Sequence, residues 1–377
     1  MNQLEIPEEI FEQIIEHLGD DRAALIACST TSRRLLLICR AQLFHALRIF
    51  HTITDQRRAK FERLRDILKA NPGMGKYVHH LWLYLQASDS TPGTDTDLLS
   101  VLDKFDNLQS LEILSIYPGS FLWQGISPEM QNSIQRLLRL PSLTSLRFHR
   151  QFDIPTSILE GATAVKNIIL TATSWSTIGT EFHDLPLPRP TSLRILQYSP
   201  IGEDNSVYKY LQQSRVPFLI HDLTSLDVEL MASTVPCIQS ILETNRDISD
   251  LKVTFRRVAH NLDLSVATAM ETLSVTADLH GWYQDVAAHN ADAMLWTLMS
   301  ITPSSSCLKS IHMEVNIPPE EIDIVSWDRL DDIFVRLKRD GALETVRVHL
   351  SSLVDYAAAF PPIIDRLPKC LQLGLFP

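Results

Sequence analysis

The sequence predicts an α/β protein. A small three-helix bundle spans residues 1–50, a linker helix 51–76, and an α/β solenoid with its strands on a concave face 77–377. Apolar residues recur at helical spacing through the first fifty or so residues. Beyond residue 77 the pattern apolar-x-x-apolar-x-apolar returns at intervals of about 22 to 38 residues, with helix-like stretches between the copies. Hydrophobic residues make up 45% of the chain, ample for a core. No run reaches the roughly eighteen apolar residues of a membrane span.

Pro7 suits the first helical position, where its missing N–H costs nothing, and Glu8 and Glu9 sit in the first turn, which favours negative charge. Ile10, Phe11, Ile14, Ile15 and Leu18 then share one face, and Gly19 ends the helix. Asp20 or Asp21 can cap a second helix, and a third runs from about Thr31 to Phe44 with Leu35, Leu36, Ile38, Cys39 and Leu43 as its apolar set. Helices this short have more apolar positions than so small a bundle can bury. Periodicity alone leaves two readings open, a face covered by a partner and a self-contained cap.

The ordered string from Leu4 through Pro7, Ile10, Ile14 and Leu18, continuing as Leu25-Ile26-Ala27-Cys28-Ser29, Ser32-Arg33-Arg34 and Leu43-Phe44, resembles an F-box. The resemblance implies docking to a Skp-type adaptor and through it to a cullin-RING scaffold. The positions that match the family's adaptor-facing apolar pattern are Pro7, Ile10, Ile14, Leu18, Leu25 and Cys28. Leu35, three residues after Ser32, departs from the family, which often has Trp there.

Copies of the repeat begin at Val78, Leu108, Leu143, Val165, Leu193, Leu223, Ile248, Met270, Leu308 and Leu343, and a degenerate copy falls at Leu371, Leu373 and Leu375. Helix-like stretches lie at 95–105, 129–138, 206–213, 237–243, 291–300, 328–339 and, interrupted by Pro, 354–366. Ser127-Pro128-Glu129 is a helix start and Gly341 a helix stop. No such unit can bury its own apolar face, so neighbours must stack. Residues 77–377 thus resemble an irregular leucine-rich repeat; the family's turn-closing Asn is matched at Asn316, whereas Ile116, Gln151, Thr173 and Met231 stand at equivalent positions. An ordinary doubly wound sheet is the alternative, but no Gly-rich phosphate loop follows the first strand.

Because side chains alternate along a strand, the apolar positions identify the opposite set as the concave, target-facing one. It includes His80, Trp82, Tyr84, Glu112, Arg147, His149 and Gln197. Further along the chain it includes Asp227, Glu229, Lys252, His312, Arg347 and His349. In the fifth copy, read as Leu193-x-x-Leu196-x-Tyr198, Ile195 also falls on this side. Trp82 and Tyr84 fit either a binding hot spot or a cap on the first repeat.

The formal net charge is −11, unevenly spread. Of 34 basic and 45 acidic residues, positions 1–76 hold 12 and 10, leaving 22 against 35 in the repeat arm. An acidic arm disfavours nucleic acid and favours a neutral or basic protein partner. The basic stretch from Arg57 to Lys69 has acids interspersed and reads as a solvated helix face. The acidic start is unlike a targeting peptide, which points to a soluble chain in the cytoplasm or nucleus. The 5 cysteines form no C-x-x-C pair, so most belong to the core.

Signs of chemistry are few. Asn71-Pro72-Gly73-Met74-Gly75-Lys76 has only part of a phosphate loop, with Ala70 and Tyr77 where Gly and Ser or Thr would be needed, and reads as a linker turn. His79 and His80, neighbours on a strand, are expected to point to opposite faces. With no catalytic, metal or cofactor motif, the chain is expected to be non-enzymatic, and the F-box and repeat resemblances imply a substrate receptor of a Skp-adaptor, cullin-RING ubiquitin ligase that holds an unidentified target protein. A repeat scaffold without a ligase is the alternative.

Overall fold

The described residues of the computed structural model are 8–19, 21–50, 55–85, 94–115, 121–176, 186–196, 219–256, 260–279, 284–302, 307–341, 343–351 and 363–375. They form two units, Met1–Val165 with Trp175–Pro188 and Lys166–Ser174 with Arg189–Pro377. Both units are mixed α/β, with parallel strands.

The first unit starts with three helices whose ends follow local chemistry. α1 (Glu8–Leu18) stops at Gly19, whose φ of +53° is a conformation glycine adopts without strain, and its N–H donates to the Glu16 carbonyl at 2.9 Å. The Asp21 carboxylate caps α2 (Arg22–Ser29) by accepting from the N–H groups of Ala23 and Ala24 at 3.1 and 3.0 Å. Ser32 caps α3 (Arg33–Phe44) through the Leu35 N–H at 3.1 Å. Ile15, Leu25 and Cys39 form the fully buried core, with Leu18, Cys28, Leu35, Ile38 and Leu43 packed around them.

A strand, β1 (Ala46–Phe50), follows α3 directly and pairs in parallel with β2 (His80–Leu85), Leu47 opposite Leu81 and Ile49 opposite Leu83. The sheet therefore starts one strand before the expected position, and α4 (Asp55–Ala70), expected as a linker, is the helix of a first strand–helix unit. α4 buries Leu68, and Arg65 ties it to α5 (Thr94–Leu102) by an ion pair with Asp97 at 2.5 Å. The glycine-containing turn is a short 3-10 helix, Pro72–Tyr77, in which a Cβ on Gly75 would sit 2.0 Å from the Lys104 carbonyl oxygen. Close backbone packing, not phosphate, requires that glycine.

β2 pairs with β3 (Ser110–Ser115), and β3 with β4 (Ser145–His149), all parallel. Between β3 and β4, α6 (Pro128–Leu138) starts as expected at Ser127, whose hydroxyl accepts from the Met130 N–H at 3.3 Å, and buries Met130, Ile134, Leu137 and Leu138. Two-residue strands add Phe121–Leu122 beside Gln151–Phe152 and Ile154–Pro155 beside Trp175–Ser176.

The second unit holds β5 (Asn167–Thr171), β6 (Ser192–Leu196), β7 (Ser225–Leu230), β8 (Asp250–Phe255), β9 (Thr272–Asp278), β10 (Ser310–Asn316) and β11 (Thr345–Ser351), each parallel to the next. Helices α7 (Val235–Thr244), α8 (Gln284–Met299) and α9 (Trp327–Asp340) lie between strands. Strands run in chain order within each unit, as stacked repeats do, whereas a doubly wound sheet reverses direction part-way across.

One backbone device recurs where strands begin. The carbonyls of His45, His79 and Gln109 each receive two consecutive N–H groups from the next strand's start, and those of Lys166, Thr191, Thr224, Ser249, Glu271 and Lys309 do the same in the second unit. This pairing satisfies the donors that a chain entering a strand would otherwise leave open.

Burial corrects the reading of the fifth copy. Leu193 and Ile195 are buried whereas Leu196 is half-buried, so the frame is Pro190-x-x-Leu193-x-Ile195. The frame moves by three residues, an odd number, which exchanges the two faces: Arg194 takes the outer position and Ile195 the inner. Gln197 lies outside the described residues. The expected final strand copy is also absent, because Leu371 belongs to the short helix Pro368–Gln372 and Leu371 and Leu373 are exposed. Leu375 is buried, and its carbonyl accepts from the Val346 N–H at 2.8 Å, along the free side of β11.

α8 starts at Gln284, earlier than expected from its apolar spacing, because its buried side includes Ala287, Ala291 and Asn290, whose side chain donates to the Asp278 carbonyl at 3.0 Å. Gly341 ends α9 in an extended conformation. The expected helix at 206–213 lies outside the described residues, and of the one at 354–366 only Ile363–Arg366 is described, as helix.

Candidate interaction surfaces

The helical bundle has more apolar surface than its core uses. Ile10 and Ile14 on α1 are 42% and 50% exposed, Ile26 on α2 54% and Leu37 on α3 56%. Of the other positions matched to the adaptor pattern, Leu25 belongs to the bundle core, Leu18 and Cys28 pack against it, and Pro7 lies outside the described residues. Ile26 and Leu37 were not singled out by the matched pattern, which follows residue types rather than helix faces.

The open side of the first unit's sheet carries a row of Arg48, Trp82, Glu112 and Arg147 on adjacent strands. The Arg48 guanidinium lies 5.2 Å from the centre of the Trp82 ring, and Arg147 pairs with Glu112 at 3.4 Å. In the next row Phe50 stacks on Tyr84, ring centres 4.2 Å apart and planes 15° from parallel. Burial, with Arg150 and Arg147 nearby, lowers the pKa of His149 on the same strand as Arg147.

At the start of this sheet the His45 ring meets both His79, centres 4.9 Å apart, and His80, 4.7 Å apart. The strand begins at His80, so His79 precedes the alternation and the two rings converge instead of pointing apart. The Nδ1 atoms of His45 and His79 are 3.0 Å apart, so one must donate and the other accept. Burial, and the other histidines next, lower all three pKa values, while Glu112 partly offsets the shift at His80. Among the described residues no group of His, Cys, Asp and Glu could hold a metal ion.

The second unit's open side is a lattice of charge. The Arg194 Nε lies 2.9 Å from Asp227, whose carboxyl burial holds above its ordinary value against the pull of Arg194 and Lys252. Glu229, only 3% exposed, pairs with Arg256 at 3.3 Å, and Arg256 also reaches Asp278 at 3.9 Å. His312 is half-buried beside the exposed Arg347, and His349 is exposed opposite Glu314. Sequence reading missed Arg194 through the slipped frame, and Arg256 and Asp278 because the outward alternation of β8 and β9 runs one step past the repeat pattern, to Arg256 just after β8 and Asp278 at the end of β9.

Cys39, Cys237 and Cys370 are buried, Cys28 is half-buried and Cys307 exposed. Burial pushes the Cys237 thiol up to about 12, far from a reactive thiolate at neutral pH. No helix among the described residues is long and apolar enough to cross a membrane.

No protein-family model matches this sequence, and no curated protein does. Among solved structures, a Bacteroides fragilis protein determined as a structural-genomics target superposes with a TM-score of 0.40 at 11% identity, over 78% of this chain and 82% of that one.

Proposed function

We propose that the chain is the substrate-recognition subunit of a Skp-adaptor, cullin-RING ubiquitin ligase, with the F-box-like bundle on the adaptor and the leucine-rich-repeat-like sheet holding a target protein. The observation that carries this reading is the exposure of Ile10, Ile14, Ile26 and Leu37 on a bundle whose fully buried core is Ile15, Leu25 and Cys39. Bare apolar side chains of this size are stabilised when a partner covers them. Such a receptor acts by proximity, raising the effective concentration of a target lysine near a ubiquitin-charged enzyme brought by the scaffold. No residue of this chain need touch the transferred ubiquitin.

Co-expression with a Skp-type adaptor followed by size-exclusion chromatography tests the reading. The full chain should co-elute with the adaptor, and an Ile10→Asp, Ile14→Asp variant, altered only at exposed positions, should remain folded and elute alone. A folded full-length chain that forms no complex would sink the ligase reading and leave a repeat scaffold.

A further inference from the structure

The open sheet face of the first unit differs in chemistry from the arm that carries it. Its three aromatic rings, Phe50, Trp82 and Tyr84, lie side by side on β1 and β2, with arginines on both flanks: Arg48 over Trp82 on one side, Arg147 against Glu112 on the other. Arg147 is neutralised by Glu112. Arg48 is exposed, and among the described residues no carboxylate lies within ion-pair range of it. A local excess of positive charge beside stacked rings therefore sits on a chain holding 34 basic against 45 acidic residues, whose overall negative charge disfavours acidic ligands elsewhere.

We infer that this face binds an acidic segment of a partner protein whose central aromatic side chain lies against Trp82 and the Phe50–Tyr84 stack, with its carboxylates on Arg48. The inference rests on the receptor reading of the sheet and names the class of target it takes. Rings supply area at small entropic cost, and arginine beside a ring presents both charge and a flat face to the incoming group. A basic segment would meet Arg48, unpaired among the described residues, with like charge. Nucleic acid, which also favours rings with arginines, needs a broader basic footprint than this chain of net charge −11 offers.

The test is fluorescence anisotropy of the full chain with a labelled Asp-Glu-Phe-Asp-Glu peptide. Controls are the same peptide with Ala for Phe, the same peptide with Lys for each acid, and an oligouridine competitor. Binding should be saturable, weaken with added salt, and drop at least about tenfold on losing either the ring or the acids. Arg48→Glu, at an exposed position, should reduce it by a similar factor, and Trp82→Ala should do so if its melting curve shows it folded. Equal binding of the Lys peptide, no effect of Arg48→Glu, no saturable binding, or stronger competition by oligouridine would each overturn the inference. The adaptor assay reads α1 to α3, not this face, so a co-eluting adaptor with no peptide binding would reject the target class while retaining the ligase reading.

Discussion

The bundle and the strand repeats spend their apolar residues differently. Along β9 every second side chain is buried, and the core extends from strand to strand through Leu251, Leu273 and Ile311, each 1% exposed or less. In the bundle, three fully buried residues serve three helices while four large aliphatic side chains face outward. A stacked repeat shares each inner residue with neighbours on both sides, whereas a short isolated bundle has nothing behind its outer faces. The contrast shows why a repeat can tolerate irregular spacing while the bundle leaves large apolar side chains exposed.

The largest effect that tests this contrast is a core truncation in each region. Leu251→Ala should cost about 2–5 kcal/mol, read from chemical denaturation, because its neighbours on β7 and β9 cannot close the cavity. Ile15→Ala should fall near the low end, about 2 kcal/mol, and show first as lost amide-exchange protection in α1 to α3. Equal losses spread over the whole chain in both variants would mean that bundle and repeats share one cooperative core.

The packing of the first two strand–helix units can be stressed directly. Gly75→Ala should destabilise by about 1–3 kcal/mol, since its new methyl meets the Lys104 backbone and not a yielding side chain. A thermal melt unchanged from the parent would show that the 3-10 turn can move away at no cost.

The far end of the repeats closes by another device. The Asp331 carboxylate, 1% exposed, accepts from the N–H groups of Lys369 and Cys370 at 2.9 and 2.8 Å. Asp331→Ala would strand both donors and should cost about 1–3 kcal/mol, with exchange protection lost first at residues 368–372. Retained protection there would assign that segment's order to Leu367 and Leu375 instead.

The smallest effect is on pH dependence. In the unfolded chain His45, His79 and His80 take up a proton near 6.5, but in the fold only at lower pH. The unfolded state therefore binds more protons in that interval, so their contribution to stability is present above about 6.5 and drains away as pH falls through it. His79→Gln should flatten the dependence of the denaturation midpoint over that interval. An unaltered slope would remove the cluster from the account.

Much of this architecture was legible from residue spacing. Nine of the ten frames, including Leu223-x-x-Leu226-x-Val228, place their apolar residues inward, and the caps at Asp21, one of two candidates, and Ser127 sit where short polar side chains precede apolar runs; the cap at Ser32 lies one residue past the Thr31 read as that helix's start. Besides the final copy, which is helix and not strand, two frames escaped the pattern. Phe44-x-x-Leu47-x-Ile49 carries the repeat pattern but overlaps the end of α3, and Pro190-x-x-Leu193-x-Ile195 begins with proline, which does not stand out as an apolar anchor. Each hid an arginine, Arg48 and Arg194, from the list of outward residues.

What the sequence determined by itself is local: the strand and helix alternation, the helix caps, and the inner side of most strands, because these follow from periodicity and from hydrogen bonds spanning a few residues. Only the tertiary structure decided that His79 and His80 converge on His45, that Arg48 lies on Trp82, and that Gly75 is needed for the Lys104 backbone. Those outcomes depend on strand register and on segments roughly 30 residues apart in the chain meeting in space, and a single sequence does not encode that distance in any local pattern.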